Sequence, residues 1–112
     1  DQRMIESEVI GKWKLSEMLM DPGDGSGVFQ PVDFNKFITF SDDGKVTSNK
    51  DLCFPAGLDS DGIKSGIFSL NDSTISAGDC QKIRFRIENA NLILTYLCIK
   101  PCREKYILVL SE

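Results

Sequence analysis

The chain has 112 residues, a net charge of −4, no histidine and four cysteines. That length builds one domain with one core, burying roughly two-thirds of the surface the unfolded chain exposes. The acidic balance argues against a nucleic-acid partner, whose phosphates call for clustered cations. The missing histidine removes the commonest general base and zinc ligand, and no apolar stretch is long enough to cross a bilayer as a helix.

Met4, Ile5 and Val9 fall at near-helical spacing, which predicts a short helical turn across one end of the molecule. A strand over residues 10–18 follows, with Gly11, Trp13 and Leu15 on one face and Lys12, Lys14 and Ser16 on the other. Strict alternation then turns Glu17 inward, where desolvation would raise its pKa unless Arg84, Lys14 or exposure at a rim relieved it. The run 21–27 carries three glycines and a proline and cannot hold a regular element, so a long loop to about Asp33 is expected. Val28 and Phe29 within it predict that it folds back as a lid. Asp21, Asp24 and Ser26 are spaced like oxygen ligands of a calcium loop, but no bidentate glutamate follows. A turn-rich loop is the simpler account, as it is for Asp59 and Asp61.

Strands over 36–41 and 45–48 flank Asp42-Asp43-Gly44, a hairpin turn in which glycine supplies positive φ. Residues 49–64 read as an irregular connection holding Cys53 and Pro55, and strands over 66–70 and 74–77 come next. The last third alternates most cleanly. Ile83, Phe85 and Ile87 face inward on a strand over 82–88, Asn89-Ala90-Asn91 turns, and Leu92, Leu94 and Tyr96 face inward on a strand over 92–98. Lys82, Arg84 and Arg86 then form a basic stripe on the outer face, most simply read as solvated. A final strand over 103–110 is long enough to pair back with the first.

Seven or eight short antiparallel strands in succession leave exposed edges unless the sheet curls shut. The expected fold is all-β: a single antiparallel up-and-down barrel of about eight strands over residues 1–112, with Trp13 capping the core at one end. Trp13, Leu15, Ile38, Phe40, Phe68, Ile83, Phe85, Ile87, Leu94 and Tyr96 would fill most of its interior.

Gly11-Lys-Trp13-Lys-Leu15, the loop 21–29, Ile38-Thr-Phe40 and the segment 98–106 with Cys98 and Cys102 together resemble the lipocalin-like domains of small bacterial envelope lipoproteins. The resemblance covers nearly the whole chain and implies a calycin-type barrel, export, and often a lipid on a cysteine upstream of the domain. It implies no settled ligand. The chain is much shorter than animal lipocalins, which implies a shallower cup.

An even number of cysteines in a small chain that starts at Asp1 fits an oxidising compartment and a removed leader. The favoured pairing is Cys53 with Cys80 and Cys98 with Cys102, although a hairpin would also bring Cys80 near Cys98. Neither a Cys-x-x-Cys pair at a helix start nor a set of zinc ligands is present, so structural staples are expected. No serine lies in a nucleophile motif, and no second inward carboxylate stands at glycosidase spacing. Asn71-Asp72-Ser73 is a glycosylation sequon only in a eukaryotic secretory pathway.

The sequence therefore predicts a noncatalytic, monomeric binding protein without cofactor or metal. Phe29, Phe34, Phe37 and Phe54, with Glu17 and Tyr96, would line an open end that takes a small apolar molecule or peptide. The alternative is an interaction or protease-inhibitor module that presents rim loops on a filled barrel.

Overall fold

The computed structural model describes residues 6–20, 27–53, 62–78, 80, 82–96 and 102–110. Met4, Ile5, Asp21, Asp24, Ser26, Phe54, Asp59, Asp61 and Cys98, each given a role above, lie outside the described residues. A single helical turn, α1 (Glu6–Val9), leads into β1 (Gly11–Met20). Then follow β2 (Gln30–Pro31), β3 (Phe37–Phe40), β4 (Lys45–Ser48), β5 (Ser65–Ser69), β6 (Thr74–Ser76), β7 (Ile83–Glu88), β8 (Asn91–Tyr96) and β9 (Cys102–Leu108).

Every neighbouring pair is antiparallel. Strands β3 to β9 pair in sequence order, and β1 pairs with both β3 and β9. Eight strands thus close into a barrel, and β2 is a two-residue addition beside the far half of β1. Among the described residues, closure leaves no long edge strand to template aggregation.

The register explains which side chains fill the barrel. Trp13, Leu15, Ile38, Phe40, Val46, Ile75, Ile83, Phe85, Leu92 and Leu94 are buried in one cluster, with Phe68 and Ile87 packed against it. Phe40, Phe68 and Phe85 meet with ring centroids 5.0, 5.4 and 6.3 Å apart in tilted and edge-on geometries, an arrangement that aromatic quadrupoles favour. Trp13 closes the cluster at the α1 end, where its Nε1 donates to the Val9 carbonyl at 2.9 Å.

The two ends of the barrel differ. At the α1 end the strands are joined by short turns. Gly44, at φ 89°, completes the 42–44 turn, with its N–H donating to Ser41 O at 3.1 Å. The β7–β8 connection is only Asn89-Ala90, both at positive φ (54° and 67°) as a two-residue primed turn requires. At the opposite end the element bounds leave the longer connections, 21–29, 49–64, 77–82 and 97–101.

Contrary to strict alternation along β1, Glu17 does not face inward. A β-bulge between Leu15 and Glu17 opposite β9 inserts one residue into β1. Ser16 and Glu17 therefore both leave the interior and Met18 takes the next inward place. Glu17 lies on the outer wall, 3.6 Å from Lys105 Nζ, not beside Arg84 or Lys14.

Candidate functional site

The polar feature built into the barrel interior comes from residues that the alternation pattern left unremarked. On β9, Cys102, Glu104 and Tyr106 alternate inward, while Arg103 and Lys105 face out. This sets an acid among apolar neighbours at 0% exposure. Its cation arrives by a different route. From Lys14 to Glu17, β1 advances three residues while its partner segment falls back six, from Phe37 to Pro31. The surplus residues bow out between backbone bonds from Leu15 N to Lys36 O and from Val32 N to Ser16 O, both 3.0 Å. Lys36, at the end of this bow, is likewise 0% exposed.

Lys36 Nζ donates to Glu104 Oε1 at 3.3 Å and Oε2 at 3.4 Å, and to the Tyr96 hydroxyl at 3.3 Å. Tyr96 and Tyr106 each donate their hydroxyl proton to Glu104 Oε1, at 2.8 and 2.7 Å. Both hydroxyls therefore stabilise the carboxylate, and Tyr96 also accepts from the ammonium, linking the two charges a second time. Asp51, 5% exposed, adds a second negative charge to the field around Lys36. Its Oδ1 accepts from Cys53 N at 2.8 Å. Gly62 lies so close to the Asp51 carboxyl that any Cβ there would collide with it.

These surroundings shift the protonation equilibria in opposed directions. Burial lowers the Lys36 pKa below 10.5, a pull that Glu104 and Asp51 only partly offset. Burial first, and then the Glu104 charge, push Tyr96 and Tyr106 well above 10.0. At neutral pH both phenols are therefore neutral donors, fixed in direction. The cluster is an internally satisfied ionic network suited to holding a rigid polar layer, and it contains no nucleophile paired with a base.

The sequence-derived candidates scatter around this layer. Tyr96 belongs to it. Phe37 does not line a mouth: it stands on the outer wall, paired with Lys14, with Lys12 Nζ 4.6 Å from its ring centroid. Phe29 is half-buried under Lys105 Nζ at 4.5 Å, so with Glu17 it forms an outer cation–π and ion-pair cluster. The lysines explain both placements, since an aromatic face beneath an ammonium is satisfied at a wet surface. Phe34 is exposed within the bow that delivers Lys36. Glu104 was open to discovery from its parity with Tyr106 on the last strand; Lys36 had no such signal, because its burial follows from a register change.

The Cys53–Cys80 disulfide is present and ties the β4–β5 connection to the β6–β7 connection at the long-loop end. Cys102 is also disulfide-bonded. Closing a loop of 27 residues contributes about 3.5 kcal/mol in the chain-entropy treatment.

Fold and site together define a closed, disulfide-bearing, eight-stranded antiparallel barrel with a charged layer inside it. Comparison of the chain with protein-family models, with curated proteins and with solved structures found no match.

Proposed function

We propose that this chain is a noncatalytic, lipocalin-like binding protein that takes a small apolar molecule or peptide at the long-loop end of its barrel. The observation that carries the reading is the contrast between the two ends. Short turns and Trp13 seal one; the other carries the longer connections above the Lys36–Glu104–Tyr96 layer. A sealed polar layer braces the barrel beneath that end, and longer loops on a rigid scaffold suit a site that holds a ligand without reacting with it. The Cys53–Cys80 bond is compatible with export, and the finer proposal places the protein in the bacterial cell envelope, anchored by a lipid upstream of this domain.

Native mass spectrometry of freshly purified protein, followed by titration with the uncharged probe N-phenyl-1-naphthylamine, tests the reading. A co-purified small molecule, or saturable probe uptake that such a molecule displaces, is the expected result. A bare polypeptide mass with no probe uptake overturns it. The dense interior packing from Trp13 to Phe85 favours a second reading in that event, a filled scaffold that presents its rim to another protein.

A further inference from the structure

The outer wall of β6–β9 carries a groove of about 960 Å³, whose lining includes Thr74, Lys82, Arg84, Arg86, Thr95 and Arg103. The register sets four of these in one cross-strand row. Thr74 lies beside Arg84, Arg84 beside Thr95, and Thr95 beside Arg103. Arg84 and Arg103 thus flank Thr95 from strands on either side, about 10 Å apart at the backbone. Both side chains are long enough to converge above the threonine.

The ionic bookkeeping at the groove's edges singles out those two arginines. Lys82 pairs with Asp72 at 3.8 Å and Arg86 with Glu88 at 3.6 Å. Thr74 Oγ1 is committed to Asp72 Oδ1 at 2.8 Å. Among the described residues neither Arg84 nor Arg103 has an acidic partner. The Arg103 Nε is moreover buried with no hydrogen-bond partner among them. A buried guanidinium nitrogen in that state calls for an acceptor.

We propose that this groove binds a small molecule carrying a tetrahedral oxyanion ester, a phosphate or a sulfate, clasped between Arg84 and Arg103 above the Thr95 hydroxyl. Donors approach from three directions: two guanidinium forks and one hydroxyl. One fork saturates a planar carboxylate, whereas a tetrahedral group offers three terminal oxygens to separate donors. Asp72 lines the groove and Glu88 pairs with Arg86 beside it, on a chain of net charge −4. That repels a long polyanion while leaving room for one compact group. The groove volume falls within the range of small-molecule sites.

The test is a nuclear magnetic resonance titration of the whole chain with inorganic phosphate, sulfate and phenyl phosphate as separate probes. Saturable shifts confined to Arg84, Thr95 and Arg103 are expected, with phenyl phosphate binding tighter than the free ions because the groove also holds its ring. Arg84→Gln and Arg103→Gln each weaken binding about tenfold or more, and Arg84→Lys, which keeps the charge but loses the fork, also weakens it. Lys45→Gln on β4 leaves binding unchanged. Trp13 fluorescence checks that each variant is folded. A phosphate preference over sulfate, or the reverse, assigns the ester within the proposal. Shifts spread over all exposed cations overturn it. So does an absence of binding by all three probes, including the case in which phosphatidylglycerol vesicles still capture the protein.

Discussion

At the scale of single residues, Lys36 and Glu104 share a buried layer with both tyrosines of the chain. Taking two charges out of water costs several kcal/mol for each ion, and their mutual attraction offsets this only when the remaining hydrogen-bonding capacity is also used. Here it is used: Oε1 of Glu104 accepts from three donors and Tyr96 bridges to the ammonium. Glu104→Gln keeps the acceptor geometry but strands the cation, so a loss of about 3–5 kcal/mol is expected. Lys36→Met leaves Glu104 with its two phenol donors and costs less. The double variant Lys36→Met/Glu104→Gln recovers much of the Glu104→Gln loss, because no uncompensated charge remains. Urea unfolding midpoints of the three variants, at unchanged m-value, form the double-mutant cycle that checks this. A double variant no more stable than Glu104→Gln alone would show that the charges are not coupled as described.

Elements were legible in the sequence where alternation met a filled core. The β7–β8 hairpin places Ile83, Phe85, Leu92, Leu94 and Tyr96 inward as the pattern predicts, and β4 occupies the expected residues. What stayed hidden were register changes, which leave little trace in composition. The bulge after Leu15 contains neither glycine nor proline, so strict alternation carried Glu17 to the wrong side. The bow before Phe37 delivers a lysine to the interior from what reads as loop, and Gln30–Pro31 is too short a strand to show a period. The buried acid is Glu104 on β9, whereas Glu17 on β1, inward by strict alternation, has a cationic partner on the outer wall. The β7–β8 turn also carries a local conflict, since Ala90 sits at φ 67° although its Cβ disfavours that region by about 1–2 kcal/mol. Asn89, at φ 54°, is a residue type that tolerates it. Ala90→Gly is therefore expected to stabilise the protein by about 1 kcal/mol, read as a rise of several degrees in the thermal midpoint. An unchanged or lowered midpoint would mean that the turn relaxes around alanine.

At the scale of the whole molecule, the charged layer ties alkaline stability to the closed barrel. Lys36 has a folded pKa below 10.5, so between that value and 10.5 the unfolded chain binds more protons than the folded one. Stability contributed by this group accordingly rises with pH across that window. The tyrosines act in the opposite sense. Their folded pKa values lie well above 10.0, so past that pH the unfolded chain releases protons that the folded chain retains, and stability falls. Both tyrosines lie in the layer, so tyrosinate ultraviolet absorbance reports on the barrel interior alone. On raising the pH, that absorbance should stay flat through 10.0. It should then appear in a single step together with the loss of buried Trp13 fluorescence. In urea at neutral pH, rapid alkaline jumps should find ionised phenols only in the unfolded fraction. If tyrosinate forms near 10 while the Trp13 signal remains native, water reaches Tyr96 and Tyr106 in the closed barrel, and the layer is an open cup floor instead of a sealed one.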